Sequence, residues 1–102
     1  MATMYLHNLI QLYKRDNKMK LKHILLIKKE GCEFCDRVTE PTIKLANERG
    51  MHCDIKMKHE VPKHMIKGVY PFWWLSDGKN VWGFHADMEG SIEQFIDSIE
   101  NQ

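Results

Sequence analysis

Hydrophobic and polar positions along this chain follow two periods, and the period switches several times. Leu6, Leu9, Ile10 and Tyr13 recur at helical spacing behind Thr3, a candidate N-cap, which predicts a short helix over about 4–15. Asp16-Asn17-Lys18 reads as a loop. Leu21 to Ile27 is rich in strand-forming residues and ends in the unbroken apolar run Ile24-Leu25-Leu26-Ile27, the pattern of a central strand covered on both faces. Lys28 to Gly31 is a short connection. A helix is expected from about Cys32 to Arg49, with Val38, Thr42, Leu45 and Ala46 on one side and Gly50 as its stop. Pro41 falls inside it and is expected to kink or interrupt it.

Beyond Gly50 the period drops to two. Met51, Cys53, Ile55 and Met57 alternate with His52, Asp54, Lys56 and Lys58, which predicts a strand. Pro62 opens a short helical stretch closed by Gly68. Phe72-Trp73-Trp74-Leu75 is a strand of bulky residues, with Trp73 and Trp74 pointing to opposite faces, so at least one belongs to the core. Asp77-Gly78 signals a hairpin returning through Asn80 to Phe84. Ser91-Ile92-Glu93-Gln94 reads as a capping box ahead of the stripe Ile92, Phe95, Ile96, Ile99 on a closing helix. A strand–helix–strand unit implies a parallel pair, and the hairpin adds an antiparallel one. The expected fold is α/β: a four-stranded mixed sheet with helices on both faces. Ligands in such sheets bind beyond the carboxyl end of the first strand.

Size and composition narrow the function. The 102 residues fit one domain, and 43% hydrophobic content suits a packed core. A formal charge of +1 gives no reason to expect a nucleic-acid or membrane partner. The lysines between Lys14 and Lys29 read as a solvated face. Three cysteines do not make a disulfide framework and suit a reducing compartment with one functional pair. The first eight residues lack the basic start and apolar run of a signal peptide, which predicts a cytoplasmic protein.

The chemistry concentrates in Cys32-Glu33-Phe34-Cys35, at the junction of a strand and a helix. A sulfur opening a helix faces free backbone N–H groups and the positive end of the dipole, which favours thiolate over thiol. Lys28 and Lys29 add positive charge, and Glu33 works against them. Cys32 is then the nucleophile that forms a mixed disulfide with substrate, and Cys35, one turn on and deeper, resolves it. The competing readings are a zinc site from Cys32, Cys35, His59 and His64, an iron–sulfur module on the same cysteines, and a structural pair. Cys53, on the apolar side of its strand, reads as a buried structural thiol. The six histidines read mostly as surface residues. His85 stands out because it replaces an acid near the expected substrate groove.

These motifs resemble the thioredoxin superfamily, and its glutaredoxin branch in particular, over roughly residues 21–100. The first twenty residues form an extension that looks like an extra helix. Phe34 before the second cysteine and Lys29 three residues before the first look like glutaredoxin positions. Gly31 stands where thioredoxins place a tryptophan, and no acid lies among Leu25-Leu26-Ile27, where thioredoxins bury one. Gly68-Val69-Tyr70-Pro71 resembles the loop that carries the family's cis-proline. The resemblance implies that Pro71 is that proline and that the backbone of Tyr70 pairs with substrate. Asp77 to Phe84 resembles the glutaredoxin hairpin, but Trp82 occupies its first glycine position and Gly83 follows. His85-Ala86-Asp87 stand where an acidic pair binds glutathione, leaving Asp87 as the one acid. Trp82 to Met88 looks more like the redoxins that feed ribonucleotide reductase and are recharged by thioredoxin reductase.

The resemblance thus implies a monomeric disulfide reductase with no bound cofactor, supplied by glutathione or thioredoxin reductase. Its expected substrate-binding residues are Lys29, Glu33, Phe34, Tyr70, Pro71, Trp82, Gly83 and Asp87. A disulfide isomerase or oxidase is the neighbouring alternative, separated by reduction potential.

Overall fold

The computed structural model describes residues 20–86, 88 and 90–101. The helix expected over 4–15 and the residue Asp87 lie outside them. The described elements are β1 (His23–Lys28), α1 (Glu33–Glu48), β2 (His52–Met57), two 3₁₀ turns (Lys58–Glu60 and Lys63–Met65), β3 (Phe72–Ser76), β4 (Val81–His85) and α2 (Ser91–Glu100). The strands form one mixed sheet in the order β2-β1-β3-β4. β1 runs parallel to β2 and antiparallel to β3, and β3 runs antiparallel to β4.

Side-chain parity divides the sheet. Ile24 and Leu26 pair with Leu75 and Trp73 on one side and with Cys53 and Ile55 on the other, all projecting to one face. On this face the core gathers Val38, Leu45 and Ala46 of α1 with Ile92, Ile96 and Ile99 of α2. Each fully buried aliphatic side chain here stabilises the fold by about 1.5–3 kcal/mol. Trp73, 1% exposed, donates its ring N–H to Thr42 Oγ1 at 3.1 Å, and Thr42 donates in turn to the Val38 carbonyl at 2.7 Å. No buried polar atom of this network is left unsatisfied. Phe84 stacks on Phe95 at 4.3 Å between ring centroids, seating α2 over β4.

The opposite face carries Leu25, Ile27, Phe72 and Trp74. Both described helices pack on the first face, and the N-terminal helix expected as part of a two-faced arrangement lies outside the described residues. The segment after β2 breaks into two 3₁₀ turns around Val61-Pro62. Pro62 has no N–H and forces Val61 into extended backbone, so a continuous helix cannot form there. The Trp74 ring N–H donates to the Met65 carbonyl at 2.9 Å and fastens this segment to the sheet.

Two helix expectations change. Pro41 does not interrupt α1, which runs unbroken from Glu33 to Glu48. Pro41 sits on the exposed side, and burial of Val38, Thr42 and Leu45 on the other holds the helix through the missing N–H. The capping box over Ser91–Gln94 does not form: Gly90 is the N-cap, Ser91 is the first helical residue, and no side chain caps α2. No helix of the described residues is long and apolar enough to cross a membrane.

Candidate functional site

Register brings four chain segments to one end of the sheet. Lys28 pairs with Met57, Ile27 with Phe72, and Phe72 with His85. The residues after β1, after β2, before β3 and after β4 therefore emerge together. Cys32 belongs to the first of these. The turn before it is made by Gly31, whose φ of +72° favours glycine, while a Cβ there would meet nothing within 4 Å.

Cys32 is the N-cap of α1 rather than its first residue, with extended backbone. Its Sγ accepts the Cys35 N–H at 3.1 Å, and its carbonyl accepts the Asp36 N–H at 3.2 Å. The sulfur thus satisfies a helix N–H that otherwise has no partner, at the positive end of the helix dipole. Cys32 and Cys35 form a disulfide with Cα atoms 5.2 Å apart. The two cysteines are unequal in exposure: Cys32 is half-buried, whereas Cys35 is 0% exposed. A CxxC disulfide at a helix N-terminus is equipped for thiol–disulfide redox chemistry.

The charges around the pair are arranged unevenly. Lys28, 15% exposed at its side chain, forms an ion pair with Asp36 at 2.9 Å, so its charge is spent on the first turn of α1. Glu33 is 93% exposed at its side chain and reaches Arg37 only at 4.0 Å. Phe34 is half-buried against the core. Lys29 is exposed, and its Nζ lies 5.9 Å from the Tyr70 ring centroid. The Tyr70–Pro71 peptide is cis, with Pro71 buried and Tyr70 half-buried. The Pro71 carbonyl lies 2.8 Å from His85 Nδ1, which ties the start of β3 to the end of β4.

Of the expected set, Lys29, Glu33, Phe34, Tyr70 and Pro71 come to the same end as the cysteines. Trp82 and Gly83 do not. Trp82 pairs with Leu75 toward the opposite end of β3 and packs against the core. Gly83 pairs with Trp74, and a Cβ on it would meet the Phe72 ring at 2.9 Å and the Trp74 ring at 3.1 Å. Asp87 is outside the described residues. Cys53 is the free cysteine of the described residues, half-buried, with its thiol pKa raised by burial and then by the charge of Asp54. Cys32, Cys35, His59 and His64 do not assemble: among the described residues no three His, Cys, Asp or Glu side chains are grouped to hold a metal.

Sequence reasoning missed Lys58, whose Nζ lies 6.0 Å from the Tyr70 centroid, opposite in origin to Lys29 but over the same ring. The signal was present: a parallel pairing of the two strand ends sets the residue after Met57 beside the residue after Lys28. It also missed Asp36 as the partner of Lys28, although a helix first turn that follows its strand so closely brings such residues together. No protein-family model matches the chain, and no curated protein matches it significantly.

Proposed function

We propose that this protein is a thiol–disulfide oxidoreductase of the thioredoxin fold, glutaredoxin-like, that reduces disulfides in other proteins. The observation that carries the reading is the unequal exposure of the two cysteines. Cys32 is a partly exposed residue whose Sγ accepts a helix N–H, and Cys35 is fully buried.

The reaction needs two electrons and no cofactor. The Cys32 thiolate attacks one sulfur of the client disulfide, forming a mixed disulfide and releasing the other client sulfur as a thiolate that takes a proton from solvent. Cys35, deprotonated, attacks Cys32 Sγ. The Cys32–Cys35 disulfide forms and the second client thiol leaves reduced. The cysteine pair has been oxidised by two electrons and the client reduced by two. Glutathione or a thioredoxin reductase fed by NADPH restores the dithiol. The resemblance of the hairpin stretch to ribonucleotide-reductase redoxins makes that enzyme the proposed client. Tyr70 and Pro71 wall the groove in which the client chain lies, with Lys29 at its rim.

The test is trapping. Cys35→Ser, mixed with an oxidised peptide, is expected to accumulate a covalent adduct mapped by mass spectrometry to Cys32, and Cys32→Ser to form none. NADPH oxidation is expected with one of the two reducing systems. An adduct on Cys35 or Cys53, or no turnover with either system, would overturn the reading, as would stoichiometric metal in protein purified under reducing conditions.

A further inference from the structure

Two ammonium groups converge on Tyr70. Lys29 Nζ approaches the ring at 5.9 Å and Lys58 Nζ at 6.0 Å. Among the described residues neither has a carboxylate within ion-pair distance, in contrast to Lys28, which is held by Asp36. Both lysines are exposed, so the Tyr70 ring gathers two solvent-facing positive charges at one place, an arrangement that attracts carboxylates.

The surroundings extend this point into a strip. Two depressions meet along Lys58 and His59. One, of about 260 Å³, reaches back to Lys29, and the other, of about 510 Å³, reaches past Tyr70 to Lys63. Residues 56–67 hold four lysines against one glutamate. That glutamate, Glu60, turns its carboxylate to the Met57 N–H at 2.7 Å. Glu30 lines the first depression and is its one acidic residue. Val61 and Ile66 line the second, so the strip has an apolar wall under a basic rim. At about 260 and 510 Å³ the two depressions together exceed what a single small anion fills, and their mixed basic and apolar lining suits a polypeptide segment.

We propose that this strip docks an acidic segment of the client polypeptide, with carboxylates flanking the reducible disulfide and contacting Lys29, Lys58 and Lys63. This rests on the oxidoreductase reading for the disulfide, but the docking itself does not depend on turnover. The strip lies at the end of the sheet from which the cysteines emerge, so a client cysteine at Cys32 places its neighbours over Tyr70.

Two measurements separate the two ideas. The first is binding of a cysteine-free acidic peptide to the oxidised protein, followed by tryptophan fluorescence at low and at physiological salt. Wild type is expected to bind it at least tenfold tighter than a neutral peptide of the same length, with the gap narrowing as salt rises. Lys58→Glu/Lys63→Glu is expected to abolish that preference. Lys44→Glu/Lys79→Glu, which changes net charge equally on exposed residues elsewhere, is expected to retain it. The second is kcat/KM for peptide disulfides with acidic, neutral or basic flanks, and for glutathione disulfide. The acidic-to-neutral ratio is expected to collapse toward unity in the Lys58/Lys63 variant. Equal binding of acidic and neutral peptides by wild type overturns the proposal. So does an unchanged preference in the Lys58/Lys63 variant, or a loss confined to glutathione disulfide. Failure of every disulfide to turn over, with the binding preference intact, removes the oxidoreductase reading and leaves the docking strip.

Discussion

The backbone N–H of Cys35 donates to the sulfur of Cys32 at 3.1 Å, so the helix cap comes from the more exposed residue of the pair. Capping and chemistry are separable by substitution. Cys32→Ser keeps an acceptor at the N-cap, whereas Cys32→Ala removes it at about 1 kcal/mol. Under reducing conditions urea unfolding is expected to rank Cys32→Ser near wild type and Cys32→Ala below it, with both devoid of reductase turnover. Equal stability of the two variants would remove the sulfur's role as a cap.

Gly83 is fixed by its neighbours rather than by its backbone. A methyl group there meets the Phe72 ring at 2.9 Å and the Trp74 ring at 3.1 Å, and those rings already sit 5.1 Å apart between centroids. Gly83→Ala is expected to cost about 1–3 kcal/mol by overpacking. Most of that cost should vanish when Phe72→Ala is added, which a double-mutant cycle in urea measures. A Gly83→Ala protein as stable as wild type contradicts the close approach.

Cys53 is held as a neutral thiol. Burial raises its pKa, and the charge of Asp54 adds to the rise. Only thiolate alkylates. With Cys32 and Cys35 oxidised, iodoacetamide at pH 8 is expected to label Cys53 several-fold more slowly in the folded protein than in urea. Asp54→Asn is expected to speed the folded reaction. The sign for stability follows: the unfolded thiol ionises first, so stability falls as pH rises above its ordinary range (about 8.5) toward the raised folded value. Cys53→Ala should remove that part of the alkaline decline in a pH series of unfolding curves.

Arg49 binds the end of α1 to α2. Its guanidinium meets Asp97 at 2.7 Å, Glu100 at 3.1 Å and Glu93 at 3.6 Å, while the other Glu100 oxygen accepts the Leu21 N–H at 3.1 Å. Burial pulls its pKa down, but hydrogen bonds to Asp97 and Glu100 outweigh that and the net pKa is raised. The cation is therefore permanent over any working pH. Arg49→Met is expected to lower unfolding free energy by about 1–3 kcal/mol. Arg49→Lys should recover only part of it, because an ammonium cannot serve three carboxylates in a fixed fork. A chemical denaturation series of the three proteins decides the matter.

Much of this arrangement could be read from residue spacing, and the failures have physical causes. The alternation through Cys53, Ile55 and Trp73 gave correct faces because a pleated strand leaves no other choice. The cysteine pair was recognised because its spacing spans one helical turn. Pro41 misled because a local rule was outweighed by burial on the other side of the helix. Ser91 looked like a cap, yet Gly90 took that place, and helix ends shift by a residue at no cost to the apolar stripe. Glu93, Asp97 and Glu100 share one face of α2 at helical spacing, but the cation they enclose comes from a distant part of the chain. The notch at Gly83 and the two lysines over Tyr70 depend on register between strands, which one-dimensional patterning does not carry.

The strand order separates the two ends of the molecule. The turn Asp77–Asn80 lies at the end remote from the cysteines, since His23 pairs with Ser76 while Ile27 pairs with Phe72. The Asp77 carboxylate accepts the Asn80 and Lys79 N–H groups at 2.6 and 2.8 Å, contacts that also hold its pKa below the usual carboxylate range. The turn is thereby self-contained, owing its shape to its own residues. It is a natural handle: a fluorophore or surface anchor attached at the exposed Lys79 leaves the cysteine end facing outward.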